Sequence, residues 1–503
     1  MQEISDKKLY LIVFLTGAIV MVLELVGSRI MAPVLGTSIF VWTSLIGIIL
    51  GAMSLGYYFG GKLADKNPKV EIFSLIILAA GISVFFTIIF RNPILDLSAF
   101  FGLRTGSAFA AIFLFAMPAL FLGTVSPYAV RLSMKKVENS GNTVGNLYAV
   151  STFGSIFGTF LAGFYLIPSF GSVNILYALA IMLFLISLYS CNKKERVIPL
   201  AFFLLAFLFI SIGSSAMDKS GLIVDEDSAY SRIRVFETKD ENGKKILVMS
   251  VENFADSGMF LNSDELVFTY SKYFMLDKVF KKDIKKAVMF GGAAYSIPKK
   301  FLTRSKKGEI DVVEIDPKTT EIAKKYFRLK DDKRMKIYHE DARIFLNSAA
   351  ENSGNKYDVV YNDAFSSACS MPFHLTTKEA VEKIYNVLKD DGLYIVNMIS
   401  AISGEKSGFF RAEYKTLKEK FKNLFVFPVK SKDKNSSEQV QNIVIIASKK
   451  EIDIGNILEN NKEGETGELL NNYWKYKVKT DDIETLTDDF APVNYYASKH
   501  CGL

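Results

Sequence analysis

A glycine pair and three carboxylates, spaced along the second half of the chain, are the residues best suited to chemistry. Gly291 and Gly292 close the apolar run KKAVMF, and a backbone without side chains there can approach a ligand closely. Glu314 stands 22 residues after Gly292, the spacing at which an acid after a second strand binds ribose hydroxyls. Asp341 follows MKIYHE and can accept a hydrogen bond from an exocyclic amine such as that of adenine. Asp363 ends YDVVYND. A cap at a helix N-terminus accounts for any one of these acids, Asp341 before ARIFL most readily, but not for the set. The turn lacks the third glycine of GxGxxG, which disfavours the competing NAD site and favours a nucleoside without a pyrophosphate.

These residues need strand ends that line up, and the sequence supplies them. KKAVMF, GEIDVVEID, MKIYHED, YDVVYND and GLYIVNMIS read as strands. The stretch from Pro298, PKTTEIAKKYF, ARIFLNSAA and TKEAVEKIYNVLK read as the intervening helices, with NLFVFPV and QNIVIIAS late in the chain. Continuous apolar strands separated by helices predict a doubly wound parallel sheet, with ligands at the carboxyl ends of the strands. Ahead of it, SAYSRIRVFET and KKILVMSVE read as strands joined by a DENG hairpin turn. The predicted organisation is a membrane domain over 1–216, a small β region and connector over 217–285, and an α/β domain over 286–503. The Asn-, Glu- and Lys-rich stretch ENNKEGETGE reads as an exposed loop.

The first half is apolar enough to cross a bilayer. Seven runs, 9–31, 40–61, 71–90, 107–130, 144–167, 173–191 and 198–216, reach the roughly 20 residues that a ~30 Å hydrocarbon core requires. The first is too long for a signal peptide and ends in ELVGSRIMAP. Small-xxx-small pairs at Gly47–Gly51 and Gly154–Gly158 predict close helix packing. Glu24 and Arg29 lie within or at the end of the first run, where ionisable groups face protein or water. Pro118 and Pro127 interrupt the fourth. Lys7 and Lys8, Lys62, Lys66 and Lys69, Arg131, Lys135 and Lys136, and Lys193, Lys194 and Arg196 fall in alternate loops, which the positive-inside rule places in the cytoplasm. Seven crossings then carry the second half outside the cytosol, whereas the supply of a cytosolic donor favours the inside. The expectation is a multi-pass cell-membrane protein with the side of its C-terminal domain open.

Half of the 503 residues are hydrophobic while 22% are charged, which fits one membrane part joined to one soluble part. The net charge of +7 comes from lysines scattered among acids, so no nucleic-acid partner is expected. Cys191, Cys369 and Cys501 share no metal or redox spacing. His339, His374 and His500 are too scattered for a metal site and are expected in surface or packing roles.

The region from about 225 to 450 resembles the spermidine synthase family, through SAYSRIRV, the glycine turn, VEID (313–316), HEDARIFL (339–346) and YDVVYNDAF (357–365). With ELVGSRIMAPVLG, the small-residue second run, MPFHLTT (371–377) and LTDDFAPVNYY (486–496), the whole chain resembles the membrane-fused branch of that family. The resemblance implies an N-terminal α-helical multi-span bundle and a C-terminal α/β S-adenosylmethionine-methyltransferase-like, Rossmann-like domain. It implies S-adenosylmethionine or its decarboxylated form as co-substrate, with no metal. Gly291 and Gly292 would border the donor's methionine-derived part, Glu314 would hold the ribose, and Asp341 and Ala342 the adenine side. Asp363, with Tyr270, would be catalytic, taking a proton from an attacking amine. Spermidine synthases are commonly dimers or tetramers, so a homodimer is one implied assembly.

The chain departs from the family pattern at Ala294 and Ser366, where acids are expected, and at Ser271 and Lys272, where His and Glu are expected. The carboxylate lining for a polycationic acceptor is therefore reduced. The acceptor stays open between a polyamine, a lipid amine and a protein amine, and the transferred group between methyl and aminopropyl. Asp488 and Asp489 in the tail are candidates for acceptor-side charge. A reading of another class makes the bundle a transporter or sensor and the soluble part a catalytically weak nucleoside- or polyamine-binding module.

Overall fold

A computed structural model describes residues 4–134, 140–191, 196–204, 221–252, 254–351, 356–365, 371–430 and 436–499. Met1–Ser220 and Glu226–Arg232 fall in one unit, Gly221–Asp225 and Ile233–Gly502 in the other.

The first unit is helical. Six of its helices are long and apolar enough to cross a membrane: α1 (Asp6–Leu35), α2 (Ile39–Lys66), α3 (Val70–Ala99), α4 (Gly102–Ser133), α5 (Ser140–Phe170) and α6 (Ser172–Ser190). Of the seventh candidate run, residues 198–204 are helical and 205–216 lie outside the described residues.

Glycine lets two of the helix pairs touch backbone to backbone. A Cβ at Gly154 or Gly158 would strike the carbonyl oxygen of Phe14 or Ala18, so α5 lies directly on α1. Gly56 and Gly60 bring α2 onto Leu120 and Thr124 of α4 in the same way. Gly47 and Gly51 do not act as their spacing suggests: a Cβ on either meets nothing within 4 Å. The second and fourth helices therefore meet through the lower glycine pair, one face further round α2.

Pro118 of α4 and Pro168 of α5 are absorbed without breaking the helices. A π-helical turn at Ile112–Ala116 precedes Pro118, and another at Ala162–Leu166 precedes Pro168. A proline ring clashes with the carbonyl four residues back and offers it no N–H. The wider π-turn accommodates that clash within the helix. Arg29, near the end of α1, donates from Nη2 and Nη1 of its guanidinium to the backbone carbonyls of Ala229 and Tyr230, within the same unit. Close by in sequence, Asp227 accepts from the Ser172 N–H that opens α6, at 2.6 Å.

The second unit holds two sheets, apart from Glu226, Asp227 and Arg232 at the ends of the first two strands. An antiparallel sheet runs β1 (Leu222–Asp227), β2 (Arg232–Lys239), β3 (Lys245–Val251), β4 (Phe254–Phe260) and β5 (Ser263–Leu266) in chain order. Its β2–β3 turn is the DENG hairpin, where Asp240 accepts backbone bonds from Asn242 and Lys244. The larger sheet has seven strands: β6 (Lys286–Phe290), β7 (Glu309–Val313), β8 (Met335–Tyr338), β9 (Tyr357–Asn362), β10 (Leu388–Ser400), β11 (Asn423–Pro428) and β12 (Gln441–Ser448). Their spatial order is β11-β12-β10-β9-β6-β7-β8, which with its helices is a doubly wound, Rossmann-like α/β arrangement. The sheet is mixed rather than wholly parallel, because β12 runs against both β10 and β11.

Between strands run α7 (Ser296–Arg304), α8 (Pro317–Tyr326), α9 (Ala342–Glu351) and α10 (Lys378–Val387), and α11 (Gly408–Lys418) follows β10. Each carries an apolar stripe, for example Ala380, Val381, Ile384 and Val387 of α10, at the spacing of one helix face. The five central strands are buried on both sides, which is why they read as continuous apolar runs.

Candidate active site

Strand register brings the candidate residues to one edge of the sheet. Phe290 pairs with Val313 and with Asn362, Val313 with Tyr338, and Asn362 with Val396. The residues that follow, Gly291, Glu314, His339, Asp363 and Asn397, therefore sit at the carboxyl ends of adjacent strands. The order reverses between β9 and β6, so this edge includes the switch point where such folds bind ligands.

Gly291 is required on two counts. Its φ is +85°, and a Cβ would lie 2.8 Å from the carbonyl oxygen of Asp363. The glycine turn is thus pressed against the end of β9. At Gly292 the space for a side chain is filled by the Tyr295 ring, whose hydroxyl bonds Thr320 Oγ1 at 2.6 Å. Ala294 is fully buried.

Glu314 is buried and turned toward the glycine turn. Its Oε2 accepts from the N–H groups of Gly292 (2.8 Å) and Ala293 (3.1 Å), and Oε1 from Asp316 N–H (3.0 Å). Burial raises its pKa, and these donors work in the opposite direction. Three acceptor positions of the carboxylate are used, which leaves one of its roughly four lone-pair sites for a hydroxyl donor.

Asp341 caps α9, with Oδ1 accepting from the N–H groups of Arg343 (2.8 Å) and Ile344 (3.3 Å). Its Oδ2 is 3.1 Å from His374 Nε2. That contact is the main cause of a pKa held below the usual aspartate value. Ala342 is buried at the first position of α9. His374 is therefore not in the plain surface or packing role expected of it.

Asp363 is half-buried, and its carboxyl lies deep enough that desolvation lifts its pKa to about 7. Two donors favour the charged form against that pressure: Tyr270 Oη to Oδ2 at 3.2 Å and Asn397 Nδ2 to Oδ1 at 2.9 Å. Tyr270 reaches it from the short helix Thr269–Tyr273, and Asn397 from β10. Asn397 was not among the sequence candidates, although one amide inside the apolar run GLYIVNMIS is a signal that could have found it. Its Oδ1 is buried with no hydrogen-bond partner among the described residues.

Other candidates are engaged with protein partners. Lys272 pairs with Glu465 at 2.8 Å, and the Ser271 hydroxyl is turned to the Phe268 carbonyl. Asp488 is committed to Arg343 and Thr377, so its charge is already compensated. Ser366, Cys369, His500 and Cys501 lie outside the described residues. Among the described residues no group of three or more His, Cys, Asp or Glu is placed to hold a metal ion.

Residues 261–431 match the spermine/spermidine synthase domain family. The chain is 24% identical over 403 residues to polyamine aminopropyltransferase 2 of Aquifex aeolicus (strain VF5), across 77% of this chain and 78% of that protein. It is 23% identical over 240 residues to the polyamine aminopropyltransferase of Vibrio vulnificus (strain CMCP6), across 46% of this chain and 76% of that one. A probable spermidine synthase from Corynebacterium glutamicum ATCC 13032 superposes with a TM-score of 0.43 at 19% identity, over 54% of this chain and 97% of its own. The C-terminal part thus carries a spermine/spermidine synthase domain, and the relatives of the chain include polyamine aminopropyltransferases and, over 95 residues at 33% identity, the eEF1A lysine and N-terminal methyltransferase of Xenopus laevis.

Proposed function

We propose that this spermine/spermidine synthase domain is an alkyl transferase, fixed to a membrane by the helical unit, that moves a group from a sulfonium nucleoside to an amine. The donor is S-adenosylmethionine or its decarboxylated form, and the transferred group is aminopropyl, as the names of the polyamine aminopropyltransferases among its relatives suggest, or methyl. Gly291, Gly292, Glu314, Asp341 and Ala342 form the donor side, and Asp363 with Tyr270 the acceptor side.

One observation carries the reading: Asp363 is a desolvated carboxylate with a pKa raised to about 7, at the switch-point strand end, oriented by two donors. A protonated amine has no lone pair. Asp363 takes one proton from it, the freed nitrogen pair attacks the carbon bonded to sulfur, and the C–S pair leaves with the sulfur as a neutral thioether. A base whose pKa lies near the working pH is the effective choice for such a transfer. Tyr270 and Asn397 keep the carboxylate in place, and holding amine and sulfonium in line supplies much of the remaining rate.

The six apolar helices serve as the anchor, with the Lys- and Arg-bearing loops on the cytoplasmic side. In that orientation the end of α1 beyond Arg29 is extracytoplasmic, and residues 226–232, tied to Arg29 and to the start of α6, share that side. The reaction class is tested by mass spectrometry of the product from isotopically labelled donor. Gain of an aminopropyl or a methyl group by the amine supports the reading and assigns the group. Unmodified amine with every donor overturns it.

A further inference from the structure

The residue facing Asp341 is not explained by capping or by packing. Asp341 has one oxygen committed to the N-terminus of α9, and the other is met by His374. A carboxylate only accepts, so His374 Nε2 carries the proton in this contact. The imidazole is one-third exposed, and it is held by its backbone: Arg343 Nη1 donates to the His374 carbonyl at 2.6 Å. The same guanidinium grips Asp488 of the C-terminal tail, and Asp488 also accepts from Thr377 Oγ1 at 2.6 Å. Phe373 stands edge-on to the ring. Three stretches distant in sequence, α9, the loop 373–377 and the tail at 487–490, are thereby clasped around one acceptor oxygen.

We propose that His374 is a positioning residue for donor recognition: by bonding Oδ2 of Asp341 it fixes the carboxylate so that the remaining lone pair of that oxygen faces the adenine amine. This rests on the reading of Asp341 as the adenine-side acceptor. The charged groups around the ring are Asp341 and Asp488, with Arg343 on its backbone side.

The probes are 5′-methylthioadenosine and its analogue without the 6-amino group. Binding of each to the full-length protein in detergent is measured by calorimetry at one pH for the wild type, His374→Gln, His374→Leu and Asp488→Asn. His374→Gln keeps an N–H donor and is expected to bind 5′-methylthioadenosine within about twofold of the wild type. His374→Leu is expected to lose about tenfold toward 5′-methylthioadenosine and less than about twofold toward the analogue. Asp488→Asn is expected to weaken binding of 5′-methylthioadenosine in the same sense by loosening the clasp. Equal losses toward both probes, or no loss in His374→Leu, overturn the proposal while leaving the donor reading standing. Failure of the wild type to bind either nucleoside overturns both.

Discussion

Replacing Asn397 by leucine isolates the tuning of Asp363 from the presence of the base. The Asn397 amide donates to Asp363 Oδ1 at 2.9 Å and opposes the burial that carries the carboxyl to about 7. A hydrogen bond to a charged group contributes roughly 1.5–3 kcal/mol, and each pKa unit is about 1.36 kcal/mol. Loss of this donor therefore raises the pKa by roughly one to two units. Leucine keeps the branched outline of asparagine, so no cavity is left, although its methyl groups are bulkier than the amide. At pH 7 the ionised fraction falls from about one half to roughly 1–10%, and kcat/KM at that pH falls roughly 5–50-fold. Above about pH 9 most of the loss is recovered, since the same base is then ionised. The assay is kcat/KM against pH with labelled donor and one fixed amine, so that the amine's own titration is common to both proteins. An ascending limb that stays where the wild type has it refutes the reasoning. So does an equal loss at every pH, which would make Asn397 a packing residue only.

Three further outcomes follow from the same geometry. Asp363→Asn is expected to melt higher than the wild type above pH 7. A carboxyl whose folded pKa is raised gives the fold stability below the unfolded value near 3.9 that is lost as pH rises through about 7. The difference in thermal midpoint should therefore grow from about pH 4 to 7 and level off. In the bundle, Gly154→Val should lower the melting temperature of the detergent-solubilised protein markedly, because its Cβ meets the Phe14 carbonyl, while Gly47→Val should leave it nearly unchanged. Tyr230→Cys places a thiol at a 48%-exposed position, and a membrane-impermeant maleimide should label it in intact cells; labelling only after lysis would reverse the orientation.

The parts legible in the sequence are those with a strong local signature. Buried parallel strands are continuous apolar runs, so the ends of KKAVMF, GEIDVV, MKIY and YDVVYN can be read directly, and register then brings their trailing residues together. The direction of β12 is not legible, because QNIVIIAS is equally apolar whichever way it runs. Small-xxx-small spacing marks two faces of α2, and only the packing of α4 selects Gly56 and Gly60 over Gly47 and Gly51. The functions of Asn397 and His374 depend on long-range contacts, 34 and 33 residues from their carboxylate partners. An amide in a strand and a histidine in a loop carry no local mark of what they face. Asp341 shows the converse, since capping and a ligand role are compatible on one carboxylate with two oxygens.

The central claim is that Asp363 is the base of a nucleoside-dependent alkyl transfer. It is tested most directly by comparing wild type and Asp363→Asn in two measurements on the same preparation: release of thioether nucleoside from the sulfonium donor in the presence of an amine, and calorimetric binding of the donor. The account predicts that the variant binds donor within a fewfold of the wild type and releases no thioether at any pH. Undiminished release by Asp363→Asn would contradict it.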